Sequence, residues 1–77
     1  MTRPAHPGTI VYVDGATQQE VRRLPVEEVP ESMRFRATAR GLVPVVKVVA
    51  IEDGNQRSLL EYGPDGEFLF STLQRKR

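Results

Sequence analysis

The sequence predicts an all-β or mainly β fold, a single small antiparallel meander of five or six strands whose sheet curls on itself or closes as a small barrel. Three observations carry this prediction. Apolar and basic residues alternate from Met33 to Arg40, Leu42 to Ile51 is apolar on both faces, and turn-forming dipeptides such as Asp14-Gly15 separate the β-branched segments. The 77 residues are enough for one hydrophobic core.

The first predicted hairpin begins at Thr9. Thr9 to Val13 is β-branched and aromatic, and Asp14-Gly15 readily takes the two positive φ angles of a type I′ turn. The returning segment, Thr17 to Leu24, has two interpretations. The first, which we favour, is a strand, and the second is a short amphipathic helix with Thr17 as its N-cap and Glu20 three residues later.

The middle of the chain supplies the predicted centre of the sheet. Pro25 to Ser32 contains two prolines and three glutamates, so we expect a linker within the domain rather than a central strand. Met33 to Arg40 is predicted as a half-buried strand with one apolar and one basic face. Leu42 to Ile51 is predicted as the central strand, fully paired from about Val45 because Pro44 lacks a backbone donor.

The last predicted hairpin joins a strand over Arg57 to Tyr62 to the final strand through Gly63-Pro64-Asp65-Gly66. Proline suits the second position of a type I turn, and Gly66 can take the positive φ that closes a three-residue loop. The expected register sets two pairs of large side chains against each other, Tyr62 with Phe68 and Leu60 with Phe70.

The two ends of the chain are predicted to lie outside the domain, which spans residues 9 to 74. Residues 1 to 8 contain two prolines and a glycine without periodicity, so they are expected to form a disordered arm that adds nothing to folding. Residues 75 to 77 are expected to form a basic, frayed tail.

Composition excludes several classes of function. The formal net charge is +1, so no global field attracts nucleic acid or an anionic membrane. The chain has no cysteine, no signal-peptide pattern and no apolar run long enough to span a bilayer, which predicts a small soluble cytoplasmic protein with no membrane association. Its one histidine, His6, lies in the predicted arm, so we expect no catalytic residue, no metal site and no cofactor.

A basic stripe is the first candidate binding surface. Residues two apart on a strand stand about 6.5 Å apart on one face, and Lys47 can join from the next strand. The stripe has two interpretations, a phosphate-binding face or the solvated face of a sheet whose arginines pair with nearby glutamates. It comprises Arg34, Arg36, Arg40 and Lys47.

An uncovered apolar face is the second candidate. One side of the predicted central strand carries Val43, Val45, Val49 and Ile51, and so short a chain covers a second face only thinly. Self-association as a homodimer would cover it. In the alternative, a monomeric barrel, the cover comes from the first hairpin, through Ile10, Tyr12, Val21 and Leu24.

The leading functional hypothesis is therefore a non-catalytic binding or accessory module that acts through contacts with a protein partner or with itself. The alternative is a small β-barrel nucleic-acid-binding protein that uses Arg34, Arg36 and Arg40.

Overall fold

A computed structural model describes residues 5 to 75 and shows a mainly β protein. Over these residues the chain forms seven strands and two single turns of 3-10 helix. The strands are β1 Thr9–Asp14, β2 Glu20–Pro25, β3 Phe35–Thr38, β4 Gly41–Pro44, β5 Lys47–Asp53, β6 Gln56–Tyr62 and β7 Phe68–Arg75, and the 3-10 turns are Val26–Glu28 and Glu31–Met33.

Five strands form one sheet in the order β2-β1-β5-β6-β7, and β3 and β4 form a separate two-stranded hairpin. The prediction of a purely antiparallel meander was wrong, because β1 and β5 run parallel. The chain leaves β2, crosses one face of the sheet through the 3-10 turns and the hairpin, and returns beside β1 in the same direction. The predicted closure into a barrel is also absent from the described residues, since β2 and β7 are opposite edges of an open sheet.

The predicted central strand divides into two elements. β4 ends at Pro44 and β5 begins at Lys47. Between them, Val45 donates its amide to the Arg34 carbonyl at 2.9 Å, whereas Val46 donates to the Tyr62 carbonyl at 3.0 Å. The chain therefore passes from the hairpin into the sheet at this point. The apolar run from Leu42 to Ile51 therefore belongs to two strands, β4 and β5, and does not form one strand with two apolar faces.

The core lies between the sheet and the connection from β2 to β5. Ile10 and Val48 of the sheet pack against Val29 and Val45 of the connection, and all four side chains are buried. Each such burial contributes about 1.5 to 3 kcal/mol. The strand registers place the following side chains on this covered face: Ile10, Tyr12, Leu24, Val48, Leu59, Glu61 and Phe70.

The turn after β1 differs from the predicted type I′ turn. Segment 17 to 24 is a strand from Glu20, as favoured, but the residue at positive φ is Gln18, at 62°, and not Gly15. Gly15 instead extends the parallel pairing, because its amide donates to the Ala50 carbonyl at 2.8 Å. A Cβ at this position would lie 2.8 Å from the Ile51 Cγ1 atom, so glycine permits the close approach of this turn to β5.

The last hairpin confirms the predicted turn and corrects part of the register. Gly66 has a φ of 80°, and the Tyr62 and Phe68 rings meet edge to face with centroids 5.9 Å apart. Leu60 pairs with Ser71 rather than with Phe70. The reason is a bulge at residue 69, which moves Phe70 opposite Glu61 and onto the covered face.

The segment before β1 is attached to the domain in its described part. His6 Nε2 lies 2.7 Å from the Val45 carbonyl oxygen, and the Gly8 amide donates to His6 Nδ1 at 2.9 Å. Because Nδ1 accepts, the ring proton lies on Nε2 and is donated to Val45. The ring also meets Phe35 edge to face. His6 is therefore not a solvated arm residue. The predicted arm at residues 1 to 4 and the tail at residues 76 and 77 lie outside the described residues, and Arg75 ends β7.

Candidate functional site

An ion pair fastens the β3–β4 hairpin to the sheet. Arg36 of β3 donates through Nε and Nη2 to the two carboxylate oxygens of Glu61 of β6, at 2.6 and 2.8 Å. Glu61 is only 1% exposed and is the one buried charged residue in the described part of the chain. The bidentate geometry fully engages the carboxylate, which makes this pair a structural clamp rather than a reactive group.

Phe70 completes the clamp from β7. The Arg36 guanidinium carbon lies 4.3 Å from the centroid of the Phe70 ring, which is the geometry of a cation–π contact. The hydrogen bond to Glu61 raises the pKa of Arg36, despite an opposing effect of burial. Arg36 is therefore held as a permanent cation, and it cannot donate a proton in a reaction.

Arg34, which precedes β3, also turns inward. Its Nε donates to the Val29 carbonyl at 2.8 Å, and its Nη2 lies 3.4 Å from the Glu27 carbonyl oxygen. Both acceptors belong to the segment around the first 3-10 turn. Arg34 thus holds the connection in place by satisfying backbone carbonyls that no regular strand pairs.

The four cations of the predicted basic stripe do not form one surface. Arg34 and Arg36 are engaged with the interior as described above. Arg40 lies beyond the end of β3 with its side chain 80% exposed, 4.0 Å from a Glu67 carboxylate oxygen. Lys47 lies at the start of β5, over the Tyr62 ring at 5.6 Å. Arg40 and Lys47 are the two of these cations that face solvent, Arg40 after the hairpin strand β3 and Lys47 on β5 of the sheet.

The predicted self-association residues also separate. Val45 is buried in the core, at 1% exposed, and Val43 lies on β4 beside Gly63. Val49 and Ile51 alternate on β5 and share the other face of the sheet. Val49 is buried by its neighbours, while Ile51 is 41% exposed. The structure therefore brings together two of the four residues.

The face of the sheet that carries Val49 and Ile51 is termed the open face, because the core cluster formed by the connection lies wholly on the opposite side. Tyr62 and Leu60 join it directly from β6 through their pairing with Lys47 and Val49. The registers place these side chains on the open face: Val11, Val13, Lys47, Val49, Ile51, Leu60, Tyr62, Phe68, Ser71 and Leu73.

A groove of about 480 Å³ runs over the open face, lined by the five-stranded sheet, its turns and Val46, which leads into β5. Val49, Ile51, Leu60 and Tyr62 form its floor, and Lys47 lies at its margin. Apolar floors with few polar groups at the rim are typical of sites that bind another molecule by desolvation.

A second groove, of about 340 Å³, lies mainly on the part of the covered face that the connection leaves free. Tyr12, Leu24 and Leu59 line its apolar part, with Arg22 and Arg57 at its rim. Arg57 donates to the Glu52 carboxylate at 3.0 Å, so one of its two cations is already paired. The second groove is smaller than the open-face groove, and it lies beside the core rather than on a free face.

His6 is the one histidine of the chain. His6 uses both ring nitrogens in backbone hydrogen bonds, so it is not placed to activate a serine. Residues 5 to 75 contain no cluster of three or more His, Cys, Asp or Glu side chains that could hold a metal ion. Over the same residues, no helix is long and apolar enough to cross a membrane.

Comparison of the chain with protein families, with curated proteins and with solved structures finds no match.

Proposed function

We propose that this protein is a non-catalytic binding module that acts through protein contacts made by the open face. The observation that carries the proposal is a set of exposed apolar side chains on that face. Ile51 is 41% exposed, Phe68 57% and Leu73 56%. Exposed apolar side chains grouped on one face are a feature of interaction surfaces in small proteins.

The chemistry of the open face indicates the kind of partner. Its centre consists of branched aliphatic side chains and one tyrosine, which suits a flat apolar protein surface rather than a polar small molecule. Lys47 lies at the margin with its cation over Tyr62. Arg23, on the same face, is already neutralised by Glu20 at 2.7 Å. The partner surface is therefore apolar at its centre, with a carboxylate placed to meet Lys47.

The non-catalytic part of the proposal is supported by how the ionisable groups are engaged. Glu61 is matched by Arg36, and His6 is matched by backbone groups. General acid–base catalysis requires such groups to face a substrate with a free lone pair or proton. Neither group lines the open-face groove.

The alternative function, nucleic-acid binding through Arg34, Arg36 and Arg40, has less support. A phosphate backbone requires a continuous row of free cations, and two of these three arginines donate to Glu61 or to backbone carbonyls. Tyr62 and Phe68, which could stack on bases, lie on the open face and not beside these arginines, while Phe70 lies beneath Arg36.

Affinity capture from the native cell lysate tests the proposal, with two matched variants as probes. Ile51→Lys places a charge on the open face, and Leu42→Lys places the same charge on the β3–β4 hairpin. The Leu42 and Ile51 side chains are almost equally exposed, at 43% and 41%. We expect Ile51→Lys to lose a protein that the wild type and Leu42→Lys both retain. Equal capture by all three proteins would contradict the proposal.

Salt separates the two candidate functions in the same experiment. An apolar protein contact is little affected when salt is raised from roughly 0.05 to 0.5 M, whereas phosphate contacts weaken steeply. Recovery of nucleic acid that is released by salt and is unaffected by Ile51→Lys would favour the alternative function.

A further inference from the structure

The two edges of the five-stranded sheet differ in how they are protected. The β2 edge carries the charged residues Glu20, Arg22 and Arg23 and ends at Pro25. A bulge at Val21 also breaks its register against β1. Charges, a proline and a bulge are the devices by which natural sheets prevent another strand from pairing with an edge. The β2 edge is therefore blocked.

The β7 edge carries no charged residue or proline from Phe68 to Gln74, and its own bulge at Leu69 lies near one end of the strand. It is the longest strand, Phe68–Arg75, and the seven residues from Phe68 to Gln74 are all uncharged. Within residues 5 to 75, β7 has β6 on one side and no strand on the other. Phe68 and Leu73 are each more than half exposed. A long, uncharged, partly apolar edge of this kind readily accepts a further strand.

We propose that β7 pairs antiparallel with β7 of a second copy of this chain across a two-fold axis, which joins two five-stranded sheets into one of ten strands. The partner strand belongs to a second copy, because pairing two open β7 edges leaves only blocked β2 edges and so gives a closed assembly. An isologous contact uses the same edge of both molecules, and the blocked β2 edges then terminate the joined sheet. Growth into a filament would need both edges to be open.

The bulge in β7 sets the register of this contact. Leu69 is the bulge residue and interrupts the alternation of side chains between the two faces, so the regular part of the strand begins at Phe70. A two-fold axis perpendicular to the sheet pairs residues that share a face. Centring the axis on Thr72 keeps five regular residues from each copy in register and separates the two Arg75 side chains. The resulting pairs are Thr72 with Thr72, Ser71 with Leu73, and Phe70 with Gln74.

This contact is separate from the open-face site, because it lies along the backbone edge of β7. Its consequence is that the open faces of two copies adjoin across the two-fold axis, with Leu73 and Ser71 of each copy at the junction. Failure of the edge contact leaves the binding function proposed for the open face untouched.

Sedimentation equilibrium over roughly 5 to 500 μM tests the assembly. We expect the wild type to reach twice the monomer mass of 8.7 kDa. Thr72→Lys, which sets two like charges on the axis, should sediment as a monomer, and Val21→Lys should not alter the dimer. Val21 is 65% exposed on the opposite edge, so it controls for added charge. A wild type that remains at the monomer mass, or a Thr72→Lys variant that remains dimeric, would overturn the inference.

Cysteine cross-linking tests the register without disturbing the edge. The chain has no cysteine, so a single introduced thiol can pair only with its copy. Paired Cα atoms across an antiparallel ladder are about 4.5 to 5.5 Å apart, within the range that a disulfide bridges. We expect Thr72→Cys to form a covalent dimer on mild oxidation, and Val21→Cys to remain monomeric under denaturing conditions. Cross-linking of Val21→Cys as fast as Thr72→Cys would overturn the inference.

Discussion

Arg36 and Glu61 lie 25 residues apart in the sequence and meet through two hydrogen bonds of 2.6 and 2.8 Å on the covered face of the sheet. The pair joins the β3–β4 hairpin to β6, and Phe70 stacks on the guanidinium from β7. One relationship thus ties three strands together. It also explains why a charged residue is tolerated at 1% exposure, since its charge and both its oxygens are matched.

The first prediction is that Arg36→Met destabilises the protein by about 3 to 5 kcal/mol, because Glu61 is left buried without a counter-ion. Urea unfolding measures the change. Arg36→Met combined with Glu61→Leu should recover most of the loss, since the double variant leaves no unpaired charge. Equal loss in the single and double variants would show that the pair itself, rather than the unpaired carboxylate, determines stability.

The pH dependence of this clamp follows from the raised pKa of Arg36. A cation whose folded-state pKa is raised contributes stability that is fully present below the unfolded-state pKa and is lost as pH rises through the folded-state pKa. Arginine therefore stays charged across the neutral range. We therefore expect wild-type stability, measured by urea unfolding at several pH values, to show no loss through Arg36 between roughly pH 6 and 9. A marked alkaline loss within that window, absent from the variant that combines Arg36→Met with Glu61→Leu, would contradict the assignment.

A second prediction concerns the approach of the first turn to β5. Gly15→Ala should destabilise by about 1 to 3 kcal/mol, because the new Cβ would lie 2.9 Å from the Ala50 carbonyl oxygen and 2.8 Å from Ile51. Thermal unfolding checks this, with Ala16→Ser at the adjacent exposed position as the control. A variant as stable as the wild type would show that the turn moves away without cost.

A third prediction concerns His6. The sequence predicted that residues 1 to 8 add nothing to folding, whereas the structure gives His6 a hydrogen bond to Val45 and an edge contact with Phe35. His6→Ala should cost about 1 kcal/mol, which lowers the thermal midpoint by about 4 to 8 °C in a domain of this size. Ala5→Ser, exposed and one residue away, is the control. An unchanged midpoint for His6→Ala would support the original expectation.

Local turn chemistry and alternation predicted much of the fold. Gly66 takes the positive φ expected of its position, Tyr62 and Phe68 meet as predicted, and the segment after Thr17 returns as a strand. These features depend on residues that are neighbours in sequence or across one tight turn. They can be predicted because few alternative local geometries exist for such patterns.

The parallel pairing of β1 with β5 could not be predicted in the same way. It depends on where the chain re-enters the sheet after Pro44, and apolar residues on both faces of Leu42 to Ile51 are compatible with one central strand or with two elements. The bulge at Leu69 likewise shifts Phe70 to the covered face without a glycine or proline to mark it. Both are decided by tertiary packing.

The candidate site was predicted only in part for the same reason. Alternation placed Arg34 and Arg36 on a polar face, because a charged residue on a strand usually points to solvent. The partner of Arg36 is Glu61, whose position between two apolar neighbours, Leu60 and Tyr62, gave no sign of burial. Ile51 and Val49 were correctly placed together because they alternate within one regular strand.

The most direct test of the binding function is the affinity of the captured partner for three purified proteins, the wild type, Ile51→Lys and Leu42→Lys, measured by titration calorimetry. A residue at the centre of a protein interface contributes about 1 to 2 kcal/mol or more, so Ile51→Lys should weaken binding by roughly tenfold or more. Leu42→Lys should bind as the wild type does. Equal affinities for all three proteins, or a greater loss for Leu42→Lys, would contradict the assignment of the open face as the binding surface.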